Sequence, residues 1–399
     1  MPYIKFSKSL LNSCVNFAIW ALLLFALPTH ITLAATPSCQ PWADWQSFKT
    51  NFMNDGGRIV DIDTPRKHTV SEAQAYGLFF ALVANDRQAF EKILRWTENN
   101  LAAGDLTSRL PAWQWGFKDD GDWGVVDDNP AADADLWIAY ALGEAGRLWN
   151  DRRYVALANL LANRIWREET VDIPGLGRTV LPAPKGFNPE KGTWRLNPSY
   201  VPIQLLRRFK ALYPQVSWTS VVDSSFRVLV DSAPKGFSPD WVSYKVPTGF
   251  LPDTKTRAEG SYDSIRVYLW VGMLSPAEPL RQPLLKALRP MAETIISQGL
   301  PPEKINVTTG EFTQGGPVGF SAAVIPFLDA IGEPAASLEQ RQRIEARPLS
   351  ERPLAYYENA LALFAMGWKD AYYRFEADGL LVPRWKEKAC PIPASQSSR

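Results

Sequence analysis

Six stretches of roughly 12–18 residues are apolar around most of a helical circumference, and each opens on a Pro, Gly or cap-like signal. They begin at Thr69-Val70-Ser71-Glu72, Asn129-Pro130-Ala131-Ala132-Asp133, Asn197-Pro198-Ser199-Tyr200, Gly260-Ser261-Tyr262-Asp263, Gly316-Pro317-Val318-Gly319 and Pro353-Leu354-Ala355-Tyr356. A more polar, amphipathic segment follows most of them, as in Arg87–Asn100, Asp151–Glu168 and Ala277–Ser297. A helix apolar all round has to be buried, and its amphipathic partner covers it. The pattern predicts an all-α, closed toroid of six inner and six outer helices alternating along the chain. Connections that do not cross set the inner helices parallel, so their N-termini share one face. An open solenoid of helical hairpins is the alternative. The echo of Pro184-Lys185-Gly186-Phe187-Asn188-Pro189 in Pro234-Lys235-Gly236-Phe237-Ser238-Pro239 is a recurrent loop and not a tight repeat.

The start of the chain has the features of a secretory signal. Lys5 and Lys8 precede an unbroken apolar run of eleven residues, Phe17 to Leu27, which is shorter than the roughly 18 residues of a membrane span. Thr32-Leu33-Ala34 then permits cleavage after Ala34 or Ala35, so residues 1–34 are expected to be removed. An uncleaved anchor is the other reading. The expectation is a periplasmic or secreted protein with no span in the mature chain, one domain over 35–390, and a disordered tail over 391–399. Of the cysteines, Cys14 leaves with the signal. Cys39 and Cys390 would bracket the fold in an oxidising compartment, where they pair as a disulfide clasp or stay as surface thiols.

Composition narrows the chemistry. With 43 basic against 42 acidic residues, no positive field draws the chain to nucleic acid. The only histidines are His30 and His68, so a Ser–His or Cys–His nucleophile would rest on His68 alone, and no metal-ligand cluster is in sight. No metal or organic cofactor is expected. Carboxylates and aromatic rings are plentiful, with 16 Trp, 13 Tyr and 19 Phe, and that combination suits carbohydrate chemistry as well as core packing.

Glu72, Asp133 and Asp263 each fall in the expected first turn of an inner helix, so the toroid would gather them at one mouth. Glu72 belongs to the first hairpin and Asp263 to the fourth, which stand opposite in a six-membered ring. Two carboxyls facing across a cleft are what glycosidic bond cleavage requires. Each acid also has a plainer reading: Thr69-x-x-Glu72 has the form of a capping box, and acids in first turns complement the helix dipole. Trp113-Gln114-Trp115-Gly116 lies in a loop stretch, and Tyr200, Tyr262, Tyr356 and Tyr357 fall at helix starts on the same mouth. Their rings would offer apolar faces to a sugar, or they pack in the core.

Several of these segments have a known look. Ala131-Ala132-Asp133-Ala134-Asp135-Leu136-Trp137 and its continuation to Trp149 resemble the signature of glycoside hydrolase family 8, with Ala132 where Ser or Thr is usual. Ser71-Glu72-Ala73-Gln74-Ala75-Tyr76-Gly77, Asn197-Pro198-Ser199-Tyr200 and Tyr262-Asp263-Ser264-Ile265-Arg266 are similar to other motifs of that family. Arg109–Trp113, Lys235–Trp241, Pro301–Lys304 and Gly316–Ser321 narrow the likeness to the branch found with bacterial cellulose synthases. The resemblance implies an (α/α)6 barrel that cuts internal β-1,4-glucosidic bonds of cellulose with inversion. It assigns Glu72 as general acid, Asp263 as general base and Asp133 as the acid that binds the distorted sugar. Arg266, three residues after Asp263, would hold a carboxylate or a sugar hydroxyl. The implied partners are β-1,4-glucan chains and the cellulose synthase machinery. Other family members act on chitosan, xylan or mixed-linkage glucan. A glycan-binding toroid without catalysis and a polysaccharide lyase are the rival classes.

Overall fold

The computed structural model describes residues 41–62, 64–348 and 355–387. The expected signal segment, Cys39, Cys390 and the tail lie outside the described residues. Helices α1 (Ala43–Phe52), α2 (Ser71–Val83), α3 (Arg87–Leu101), α4 (Ala132–Leu148), α5 (Arg152–Glu168), α6 (Ile203–Leu212), α7 (Trp218–Asp231), α8 (Ile265–Gly272), α9 (Arg281–Gln298), α10 (Val318–Ile331), α11 (Pro334–Glu345) and α12 (Tyr356–Lys369) build an (α/α)6 barrel. The even-numbered helices form the inner ring. In α2 every residue except Glu72 is buried, and α10 is buried from Val318 to Leu328. By contrast α3 buries a stripe, Phe90, Ile93, Leu94, Thr97 and Leu101, at the spacing of one helical face.

The inner helices meet on an aromatic core. Phe364 of α12 lies with its ring centroid 5.1 Å from Tyr76, 5.3 Å from Phe79 and 4.6 Å from Phe80 of α2. It also stands 5.1 Å from Trp137 of α4 and 5.0 Å from Trp270 of α8. The barrel is therefore filled beneath its mouth. Phe79 and Phe80 belong to this core.

Alternation fails at the end of the ring. No long outer helix follows α12 among the described residues; instead α1, from the start of the fold, packs against it. Trp42, just before α1, stacks on Tyr372 just beyond α12, with centroids 5.0 Å apart. The first and last of the described helices thus close the ring together.

Short strands decorate the loops at both ends: β1 (Thr69–Val70), β2 (Gln114–Phe117), β3 (Trp123–Asp127), β4 (Thr170–Ile173), β5 (Gly177–Val180), β6 (Thr193–Leu196), β7 (Val242–Lys245), β8 (Gly249–Pro252), β9 (Glu259–Gly260), β10 (Ile305–Asn306), β11 (Tyr373–Phe375) and β12 (Leu381–Pro383). Pairing is antiparallel throughout, in the sheets β1-β2-β3, β4-β5, β6-β7-β8, β9-β10 and β11-β12. Two of these sheets deliver acids to the mouth: β1 leads straight into Glu72, and β9 into the turn that carries Asp263. The stretch from Trp113 expected as loop enters β2.

Candidate active site

Glu72 is the second residue of α2, but no capping box holds it there. The cap position is Val70, without a side-chain bond. Thr69 Oγ1 donates instead to the Ile59 carbonyl at 2.6 Å and accepts from Arg58 Nε at 2.8 Å. The helix start is fixed by sheet pairing, with Ser71 N–H donating to the Trp113 carbonyl at 2.8 Å. The half-buried Trp113 lies beside the Glu72 carboxyl, whose Oε2 is buried without a hydrogen-bond partner. Burial is the largest influence on this group and pushes its pKa up, Asp263 adds to it, and Arg266 opposes.

Asp133 is likewise the second residue of its helix, α4, and is almost wholly buried. Its Oδ1 accepts from Ala134 N–H at 2.9 Å and its Oδ2 faces Arg266 Nη1 at 3.4 Å. Burial first, then the neighbouring Glu72, drives its pKa well above the carboxylate range. Asp263 departs from expectation: α8 begins at Ile265, and the acid sits in the turn before it. Its Oδ1 accepts from Arg266 Nη2 at 2.6 Å, and the side chain stays 29% exposed.

Arg266 joins these pieces. Besides both aspartates, its Nη1 donates to Tyr76 Oη at 3.2 Å and its Nη2 to Ser199 Oγ at 3.0 Å. Ser199 stands in a single 3-10 turn, Pro198–Tyr200, capped by Asn197 Oδ1, and α6 starts only after Pro202. One buried guanidinium therefore ties together α2, α4, the 3-10 turn before α6 and the turn before α8. Asp135, the signature's second aspartate, turns away from this group. Its carboxyl faces Glu169 at the end of α5; both are buried with no donor from elsewhere, an arrangement satisfied by a shared proton.

The expected aromatics divide. Tyr262 is 47% exposed at the rim, its ring edge-on to Phe320 at 5.0 Å. Tyr200 is half-buried beside Arg266, 5.7 Å from the guanidinium carbon to the ring. Tyr356 does not reach the cleft: it is buried against Phe52 and Phe48, at 5.7 and 6.0 Å. Its neighbour Tyr357 takes the outward position and donates to the Tyr262 carbonyl at 2.6 Å. Adjacent residues on a helix point about 100° apart, so one of a Tyr-Tyr pair faces in and the other out. Trp241, missed as a site residue, stacks between Phe187 at 5.7 Å and the Arg195 guanidinium at 3.8 Å, and touches Tyr200 at 5.8 Å. Its signal was the Lys235–Trp241 motif.

His68 Nδ1 is bonded to Gln114 Nε2 at 2.8 Å and not to a serine. Among the described residues no group of three His, Cys, Asp or Glu side chains could hold a metal ion, and no helix is long and apolar enough to cross a membrane.

The profile of the glycosyl hydrolases family 8 matches residues 14–371. An endoglucanase of Escherichia coli O157:H7 is 45% identical over 365 residues, 91% of this chain and 97% of that protein. An endoglucanase of Xanthomonas axonopodis pv. citri is 46% identical over 92% of this chain and 95% of its own length. The crystal structure of an endo-1,4-D-glucanase from Vibrio fischeri superposes with a TM-score of 0.83 at 45% identity, covering 86% of this chain and 99% of that one.

Proposed function

The chain belongs to glycosyl hydrolases family 8 and is an endo-1,4-glucanase, and from that premise we propose that it cuts internal β-1,4-glucosidic bonds of cellulose with inversion. The observation that carries the mechanism is the contrast between two carboxyls at one mouth. Glu72 is desolvated and has no cation of its own, which favours the protonated form a general acid needs. Asp263 is ion-paired with Arg266 and open enough to meet water, which suits a general base.

Glu72 gives its proton to the glycosidic oxygen as the bond from the anomeric carbon to that oxygen breaks. A water on the opposite sugar face forms the new bond, and Asp263 takes its proton. Asp133, held by Arg266 and Ala134 N–H, bonds the sugar beside the scissile linkage and favours its distorted shape. Trp113, Tyr200 and Tyr262 flank the chain of sugars. The two catalytic carboxyls should stand about 6.5–9.5 Å apart, leaving room for the water. An NMR time course tests this: the α-anomer released first supports inversion, and the β-anomer first overturns it.

The same reading places the enzyme in the periplasm or outside the cell, acting on glucan made by a cellulose synthase. Lys5, Lys8 and the apolar run to Leu27 support export, and the Lys235–Trp241 and Gly316–Ser321 motifs support the link to synthesis. Sequencing the N-terminus of the exported protein would test the first; finding Met1 there overturns it. A Cys39–Cys390 disulfide goes with export, and alkylation with and without reductant would reveal it.

A further inference from the structure

We propose that Asp240 is a positioning residue for Asp263: its carboxylate, in the charged form, clamps the turn that presents the general base.

Helix α8 is eight residues long and has no side-chain cap from its own cap residue. Its starting N–H groups need acceptors, and the turn before it carries the base. Asp240, brought from the loop after α7, supplies them: its Oδ1 accepts from Ser261 N–H and from Ser264 N–H, both at 2.7 Å. These two groups bracket Asp263. Asp240 N–H donates back to the Glu259 carbonyl at 2.8 Å, so the contact is anchored at both ends. The approach is close enough that a Cβ on Gly260 would lie 2.3 Å from the Ser238 carbonyl oxygen. The next residue, Trp241, packs on Tyr200, which faces Arg266. One dipeptide thus sets both the base and an aromatic flank.

The groups that face Asp240 are Asp263 from the turn, Tyr268 from α8, Tyr357 from α12 and Lys304 from the loop after α9. Lys304 is itself paired with Glu259 at 3.0 Å. Burial above all, then the charge on Asp263, holds the Asp240 pKa up at about 6 against the pull of the two N–H donors. As pH falls through that value the carboxylate becomes an acid, accepts more weakly, and the turn loosens.

The inference rests on Asp263 being the base. Its test is the pH dependence of kcat and KM on soluble cellulose for wild type, Asp240→Asn, Asp240→Ala and Asp263→Asn, with folding followed by circular dichroism. Asp240→Asn keeps an acceptor but no charge; it should lose severalfold in kcat, keep KM, and lose the acid limb near pH 6. Asp240→Ala should lose about tenfold or more in kcat. An Asp240→Asn profile that superposes on wild type overturns the proposal, even if Asp240→Ala does not fold. An active Asp263→Asn would sink the base assignment instead, so the two failures are distinct.

Discussion

Glu72 and Asp263 are the same functional group in opposite surroundings, and the difference predicts their behaviour. Glu72→Gln and Asp263→Asn should each lower kcat by about 10²–10⁴-fold while cello-oligosaccharide binding, followed by titration calorimetry, survives. Because burial raises the Glu72 pKa, the basic limb of the kcat profile should lie above the usual carboxylate range, and activity should fall as pH rises through it. Arg266 is a different case. Its side chain is 6% exposed and lies between Asp133 and Asp263, at 3.4 and 2.6 Å. Arg266→Met would break the ion pair with Asp263 and leave Asp133, Tyr76 and Ser199 buried without the donor they share. Breaking such a pair typically costs about 3–5 kcal/mol, to be read from urea unfolding. Arg266→Lys should fall between, since an ammonium restores charge but not the fork that reaches four partners.

At the scale of elements, ring closure by α1 depends on one acid. Asp86 caps α3, its Oδ1 accepting from Ala89 N–H at 3.0 Å. Its Oδ2 accepts from Trp45 Nε1 at 3.1 Å and Lys49 Nζ at 2.5 Å, both on α1. Burial pushes the Asp86 pKa up, but Lys49 and the two N–H donors outweigh it and the net displacement is downward. A depressed carboxylate stabilises the fold above the unfolded pKa near 4 and stops doing so as pH falls through its folded value. Asp86→Ala should therefore cost about 1–3 kcal/mol at pH 7. The gap between the thermal melts of the two proteins should narrow as pH falls below about 4. The inner ring has its own tight contact: a Cβ on Gly272 of α8 would lie 2.3 Å from Phe327 N of α10. Neither helix can give way without disturbing the core, so Gly272→Ala should destabilise by about 1–3 kcal/mol, measured in urea.

Over the whole molecule, the inner helices were legible because burial on every side leaves an apolar record with a marked start, and Glu72 and Asp133 came with them. What was not legible came from segments far away in sequence. Thr69 has the letters of a cap but sits in a strand paired with β2. Asp263 precedes its helix because its acceptor, Asp240, lies over twenty residues upstream. Strands of two to five residues leave too short a pattern to recognise. The ring's two ends also follow different rules. At the closed end Glu144, fully buried, accepts from Arg208 Nε at 2.6 Å, Arg147 Nη2 at 2.5 Å and Leu381 N–H at 3.0 Å, locking β12 onto α4 and α6. At the mouth, Glu72 and Asp240 have pKa values raised by burial, so the folded state holds protons that the unfolded chain releases. Such groups favour the fold below about pH 4 and lose that contribution as pH rises through their folded values. For Asp240, a rise from 3.8 to about 6 amounts to roughly 3 kcal/mol withheld at pH 8. Glu72→Gln cannot ionise, so it should melt higher than wild type at pH 8, with the gain vanishing toward pH 4. Glu144→Gln should lose about 3–5 kcal/mol by breaking its buried ion pair with Arg208, which keeps only the longer contact to Asp378 at 3.4 Å, while kcat of the folded enzyme holds. Calorimetry across pH 4–8 checks both; a Glu72→Gln variant that melts lower than wild type at pH 8 would mean that its carboxyl stabilises the fold it is argued to strain.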